Sequence, residues 1–247
     1  MAFETLTGIV LRYADYREND RILTLLTRER GLVSVTARAV RSKGSSASVL
    51  VRDPYTYGEF VVYERNGLEY VSSSSIIESF YPIREDYSRL VAAAQCAFVA
   101  DKLASNVRSD ELFTLLYHAL SFIAYGKAAP EDIMLCFAAK SLCIAGYEPV
   151  LTRCVNCGRA VTDQRSVSFS NRFGGSVCAD CAGTSEGKAH SALALEALRR
   201  MIRLPQEEMD RVRLPETLRP ELDGLIFDYA EYVLEQPIRL KNTNHLS

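Results

Sequence analysis

Two Cys-x-x-Cys pairs constrain the folding of this chain more than any other feature it carries. Cys154-Val155-Asn156-Cys157 and Cys178-Ala179-Asp180-Cys181 are separated by a twenty-residue spacer. Two intervening residues let both thiolates of a pair reach one metal from a tight turn, and a second such knuckle completes a tetrahedral set of four sulfurs. Gly158 follows the first pair, where positive φ is accessible and backbone amides can face the sulfurs. The spacer holds Val167, Phe169 and the turn Phe173-Gly174-Gly175, which fits a short hairpin between the knuckles. The expectation is one structural zinc ion held by Cys154, Cys157, Cys178 and Cys181. Four thiolates close the shell, whereas a catalytic zinc keeps a position open for water. Histidine is limited to His118, His190 and His245, with no pair at metal-binding spacing; His190, nearest the knuckles, reads as a surface or capping residue. The redox reading of Cys-x-x-Cys fits two such pairs less well than metal binding. Cys96, Cys136 and Cys143 lie in apolar helical stretches and read as small buried hydrophobes.

The rest of the chain divides by hydrophobic period. Up to about Phe80 it is strand-like: Thr7–Arg12, Arg21–Thr27, Leu32–Arg38, Phe60–Tyr63 and Leu68–Val71. In the third of these Val33, Val35 and Ala37 alternate with Ser34, Thr36 and Arg38, the period-two pattern of a half-buried strand. Asn66-Gly67 joins the last two strands, a dipeptide whose tolerance of positive φ makes it a strong hairpin signal. Five short strands in so short a segment fit a small closed or nearly closed barrel of OB type.

From Pro82 to Tyr147 the period becomes helical. Leu90, Val91, Ala94 and Phe98 share one face, and Leu112, Leu115, Leu116, Ala119 and Ile123 the next. A third helix is expected from Pro130, with Glu131 and Asp132 in its first turn, stopped by Gly146 and Pro149. Ser191 is placed to cap a helix carrying Leu195, Leu198 and Ile202, and a final helix carries Leu222, Leu225, Ile226, Tyr229 and Val233 up to Pro237.

Hydrophobic residues make up 48% and charged residues 24% of the 247, a globular composition. No long apolar run is present, so no membrane span is expected. The opening residues Met1-Ala2-Phe3-Glu4-Thr5-Leu6 carry no basic segment followed by an apolar run, so a secretory signal is not expected and the location is cytoplasmic. The net charge of −2 gives no global pull on nucleic acid. A local surplus exists: Arg28, Arg30, Arg38, Arg41, Lys43 and Arg52 stand against Glu29 between positions 28 and 52. The small polar loop Arg41-Ser42-Lys43-Gly44-Ser45-Ser46 suits wrapping a phosphate backbone, and Tyr13, Tyr16, Tyr55 and Tyr57 offer stacking faces nearby.

Asn19-Asp20-Arg21-Ile22-Leu23-Thr24-Leu25-Leu26-Thr27-Arg28-Glu29-Arg30-Gly31, followed by Val35-Thr36-Ala37-Arg38-Ala39-Val40-Arg41-Ser42, resembles the most recognisable stretch of the bacterial recombination mediator family RecO. The four cysteines match that family in place and spacing. Ala39 and Val40 depart from it, standing where the family often has glycine and a further small or basic residue. The resemblance implies an α+β multidomain protein. An OB-like DNA-binding barrel spans 1–81, a helical domain 82–149 and a four-cysteine zinc module 150–186, with a C-terminal helical segment, 187–247, packing on the helical domain.

It also implies a non-enzymatic role in recombinational repair, on the nucleoid of a bacterial cell. Proteins of this kind bind single- and double-stranded DNA, anneal complementary strands, and with a RecR-like partner help RecA replace single-strand binding protein (SSB) on gapped DNA. Arg38, Arg41 and Lys43 are carried over as DNA contacts, with Arg21 and Arg28 beside them, and Arg239 and Lys241 as a site for the acidic C-terminal tail of SSB. The competing reading is a zinc-stabilised protein-interaction adaptor that does not touch DNA. It gains if the arginines are paired with acids instead of projecting to an open face.

Overall fold

The computed structural model describes residues 2–41, 53–104, 109–162, 166–183 and 186–240. Two compact units emerge, Met1–Tyr125 and Gly126–Ser247.

The first unit is built on a closed five-stranded barrel of strand order β1-β2-β3-β5-β4, the OB topology. Its strands are β1 (Phe3–Tyr16), β2 (Asp20–Thr27), β3 (Gly31–Ala37), β4 (Tyr57–Arg65) and β5 (Leu68–Glu78). β1 pairs antiparallel with β4 along its first half and with β2 along its second. A parallel bridge, Thr36 to Tyr70, joins β3 to β5. The interior is filled by Leu6, Val10, Leu23, Leu25, Val33, Val35, Ala37, Phe60 and Val62. The expected inward face of β3 is therefore the one buried. Thr36, expected outside, is also covered where β3 meets β5. At the β4–β5 hairpin Asn66 (φ 54°) and Gly67 (φ 75°) both take the left-handed conformation that a two-residue turn requires.

The strands run longer than their apolar runs. β5 continues through Ser72–Ser75, whose hydroxyls hide the period-two signal although the backbone keeps pairing with β4. The outer barrel wall at Ile9, Leu11 and Leu26 is as buried as the interior. It lies under α2 (Tyr87–Leu103) and α3 (Ser109–Tyr125), reached through a short α1 (Pro82–Glu85). Asp86 caps α2 by accepting the Arg89 N–H at 2.9 Å. α2 is buried nearly all round, Ala92, Ala93, Cys96, Ala97, Val99 and Ala100 included, while Leu90, Val91 and Phe98 are only half-covered. Small residues let neighbours approach from several sides, so no single stripe marks its core face.

In the second unit α4 (Pro130–Ile144) packs with α6 (Ala192–Arg203) and α7 (Arg219–Leu234). The segment expected as one helical domain is thus shared: α2 and α3 lie with the barrel, α4 with the C-terminal helices. α4 ends as expected, with Gly146 at φ 84° and the Tyr147 N–H returning to the Leu142 carbonyl at 2.8 Å. Asp132 at its start is buried, accepting from Arg219 Nε at 2.8 Å and the Leu214 N–H at 3.1 Å. Ser191 caps α6, accepting the Ala194 N–H at 3.1 Å. α7 stops at Leu234 on a left-handed Glu235 (φ 52°), before Pro237. Between α4 and α6 lie the cysteines and a three-stranded sheet, β7-β6-β8, formed by β6 (Ser166–Ser170), β7 (Gly175–Val177) and β8 (Lys188–Ser191). Among the described residues no helix is long and apolar enough to cross a membrane.

Just past β3, Ala39 is held at φ 54° while its N–H donates to Asp20 Oδ1 at 2.9 Å. A Cβ disfavours that conformation by roughly 1–2 kcal/mol, part of which glycine gives back through its freer unfolded chain. Ala39→Gly is expected to stabilise the first unit by about 1 kcal/mol, read as a higher midpoint in urea denaturation.

Candidate functional site

The four cysteine sulfurs lie within 4.8 Å of one another. A tetrahedron with metal–sulfur bonds of about 2.3 Å sets its sulfurs about 3.8 Å apart. Cys157 and Cys178 Sγ are 3.7 Å apart. The first knuckle is closed by the Gly158 N–H donating to the Cys154 carbonyl at 2.9 Å and the Cys154 N–H donating to the Arg159 carbonyl at 2.7 Å. Gly158 sits at φ 75°. The second opens α5 (Ala179–Ala182), with Cys178 as its N-cap residue. The hairpin β6–β7 joins them, as the spacer composition implies, and β8 extends it on the other side of β6. Gly175 is required there by close approach: a Cβ would lie 2.6 Å from Val155 Cγ1 and 2.7 Å from the Val150 carbonyl.

The electrostatics fit a bound cation. Hydrogen bonding with Cys178, and then burial, pushes the Cys181 thiol up to about 12. Burial also opposes ionisation of Cys154, yet hydrogen bonds with the backbone of Cys178, Cys157 and Asn156 hold its thiol at about 6. Thiols this close cannot all ionise unless a cation offsets their repulsion. Together the four can bind a metal ion. His190 is buried instead of exposed, its Nδ1 3.6 Å from Glu221 Oε1, and burial holds its imidazole below the usual range. The capping role belongs to its neighbour Ser191. Cys96 and Cys136 are fully buried, and burial pushes the thiols of Cys136 and Cys143 up to about 12 and about 11, so both stay protonated and poorly nucleophilic at neutral pH.

Arg21, Arg38 and Arg41 lie toward one end of the barrel, and Arg28 and Arg30 lie at the other, in the turn between β2 and β3. β2–β3 register places Arg21 opposite Ala37, beside Arg38. Arg21 Nε and Arg41 Nη1 share one carboxylate, Asp15, at 3.1 and 2.9 Å. The Arg21 guanidinium also stacks on Tyr13, 3.9 Å from the ring centre. Arg38 lies over Tyr70 at 4.3 Å. Arg28 Nε is 3.3 Å from Asp110 at the start of α3, and its guanidinium covers Phe113. Lys43, Arg52 and the loop after Arg41 lie outside the described residues. Two of the tyrosines expected as stacking faces serve packing: Tyr55 is buried, its hydroxyl pushed up to about 12 by burial, and Tyr57 meets Phe113 and Tyr117 of α3 edge-on. Tyr13 remains exposed.

Two family models match: the recombination protein O N-terminal model over residues 1–80 and its C-terminal model over residues 84–242. The chain belongs to the recombination protein O family. A DNA repair protein RecO from Desulforamulus reducens is 34% identical across 100% of this chain and 94% of its own length. A second from Symbiobacterium thermophilum is 31% identical across 98% and 96%, and a third from Bifidobacterium adolescentis 32% identical across 94% and 95%. The N-terminal family model ends just past β5, so it corresponds to the barrel.

Within this family member the other expected basic site is already compensated. Arg239 faces Asp223 at 3.3 Å, Asp228 at 2.9 Å and Glu231 at 3.8 Å, and covers the Phe227 ring, which fixes the segment after α7 in place. Three carboxylates thus offset the charge of Arg239, and Lys241 lies outside the described residues. A separate groove of about 360 Å³ beside α6 has Met201, Leu204 and Leu218 among its apolar lining and Arg200, Arg211 and Arg213 among its charged lining. Sequence periodicity did not reveal it, because Pro205–Pro215 has no repeating pattern.

Replacing Cys154 or Cys178 with serine is expected to abolish stoichiometric metal, measured by elemental analysis. It should also lower the stability of the second unit by several kcal/mol, read by thermal denaturation. A metal-free variant of unchanged stability would remove the structural role.

Proposed function

We propose that this protein is a non-enzymatic recombination mediator. In this reading it binds single- and double-stranded DNA through the arginine-rich end of the barrel and anneals complementary strands. With a RecR-like partner it promotes RecA loading onto SSB-coated gapped DNA. The observation that carries the reading is the placement of Arg21, Arg38 and Arg41 toward one end of an OB barrel, Arg21 and Arg41 on Asp15 and Arg38 on Tyr70, in a member of this family. Annealing brings two polyanions together, and cations that neutralise phosphates on both strands lower the repulsion and release counterions. Zinc is the proposed metal, since four thiolates in a tetrahedral set suit that ion and leave no open position for chemistry. For the SSB tail, an acidic peptide, Arg239 and Lys241 are the proposed site, and the groove beside α6 is a second candidate that sets Arg200, Arg211 and Arg213 beside an apolar floor.

The adaptor reading draws on the ion pairs. Arg21, Arg28 and Arg41 each face a carboxylate. The Arg28 and Arg41 pairs are exposed and worth only about 0–1 kcal/mol, however, so a phosphate displaces the carboxylate at little cost, whereas Arg21 is largely covered and stacked on Tyr13. Asp15 then acts as a mild competitor of DNA.

Single-strand affinity, followed by fluorescence anisotropy, is expected to fall about 10- to 100-fold between about 50 and 200 mM salt if about four phosphates are neutralised. Arg38→Glu and Arg41→Glu should each weaken binding about tenfold, whereas Asp15→Asn should strengthen it by about two- to fivefold. Salt-independent binding, or none, would favour the adaptor.

A further inference from the structure

An aromatic row crosses the outside of the barrel. β1–β4 register pairs Phe3 with Tyr63, and β4–β5 register pairs Tyr63 with Tyr70. The Phe3 and Tyr63 ring centres are 5.8 Å apart, and those of Tyr63 and Tyr70 are 5.6 Å apart with planes only 25° from parallel. Tyr70 is bridged to Thr36 of β3, and two residues on, Arg38 covers the Tyr70 ring. The row thus runs over three strands and finishes at Arg38. Alternation fixes its direction: Leu6 and Val62, on the opposite parity of β1 and β4, fill the interior.

We infer that Phe3, Tyr63 and Tyr70, closed at one end by Arg38, form a stacking platform for unpaired bases of single-stranded DNA; this rests on the DNA-binding reading above and names where the bases go. Cross-strand aromatic pairs also stabilise sheets, and Tyr63–Tyr70 does so here. Packing does not account for Phe3, which is 62% exposed at the outer end of the row. Nor does it account for a guanidinium laid on the last ring, which gives the row a cationic terminus suited to a phosphate.

The charge on the row's own face sets a direction for the strand. Glu4, Glu64 and Glu69 fall on the opposite parity of their strands, with Val62 and Val71, and Arg30 ties Glu69 and Glu4 at 2.6 and 3.1 Å. A phosphate is therefore favoured at Arg38, the cation laid on the last ring. A strand with neutral bases on the rings and its backbone toward Arg38 satisfies this arrangement. Stacking needs only a π-face, so the platform accepts any base sequence, as annealing without sequence preference demands.

The test compares full-length protein binding a thymidine oligomer with an abasic deoxyribose-phosphate oligomer of the same length and charge. The intact protein is expected to prefer the thymidine strand by about tenfold or more. A Phe3→Leu/Tyr63→Leu variant keeps apolar bulk without the rings, and should lose that preference while retaining the salt dependence. Equal binding of both strands by the intact protein, still salt-dependent, overturns the platform and leaves the DNA-binding reading standing. Binding of neither removes that reading and the platform with it. If the double variant fails to fold, 5-bromodeoxyuridine photocrosslinking to the unmodified protein decides. Crosslinks at Phe3, Tyr63 or Tyr70 support the platform, and crosslinks confined elsewhere overturn it.

Discussion

Closure of the barrel rests on the double pairing of β1, which bonds to β4 from Phe3 to Ile9 and to β2 from Gly8 to Tyr16. Just past the point where β1 changes partner from β4 to β2, the strand is irregular. The register slips between Val10 and Arg12, and Val10 there exchanges hydrogen bonds with Thr56 and Tyr55 at the entry to β4. Much of the surface chemistry follows from this double pairing. The start of the strand carries Phe3 into the aromatic row, while its far end carries Tyr13 and Asp15 into the arginine cluster.

The four-cysteine cluster meets a different problem in the second unit. Between Arg153 and Gly183 few side chains are apolar, and Val161, Val167, Phe169 and Val177 make only a small core. A metal ion bound by the two knuckles would supply free energy that so small a core lacks. The knuckle segment is further fastened by Phe169 packing edge-on to Tyr229 of α7, 5.4 Å between ring centres. At the other end of α7, the buried Asp132–Arg219 pair fixes its start against α4. Loss of Arg219 would strand the buried Asp132 carboxylate, so this pair constrains geometry more than it adds stability.

Much of this was legible in the sequence where one physical rule dominates. The cysteine spacing, the Asn66-Gly67 turn, the inward face of Val33, Val35 and Ala37, and the Ser191 cap each depend on local geometry alone. The failures share another cause: they depend on what a residue meets across the fold. Tyr55 and Tyr57 look like free rings until the helices cover them, and Arg239 looks like a free cation until α7 brings three acids beside it. The Tyr63–Tyr70 pair was within reach, since a two-residue turn at Asn66-Gly67 fixes Arg65 opposite Leu68 and hence Tyr63 opposite Tyr70.

A net charge of −2 then ceases to conflict with a proposed polyanion-binding role. What matters is how firmly the local acids hold the arginines. Asp15 and Asp110 are half or more exposed, so water and salt screen their pairs with Arg21, Arg41 and Arg28. A protein that anneals strands must release the duplex it makes, and an unopposed basic face would hold that duplex tightly. Arginines pre-paired with exposed acids give up part of their phosphate affinity in advance. Stacking favours strands whose bases are still unpaired. In the proposed annealing role, bases would turn inward as the duplex forms, the ring contacts would be lost and only the weakened electrostatic hold would remain, so release would follow from pairing itself.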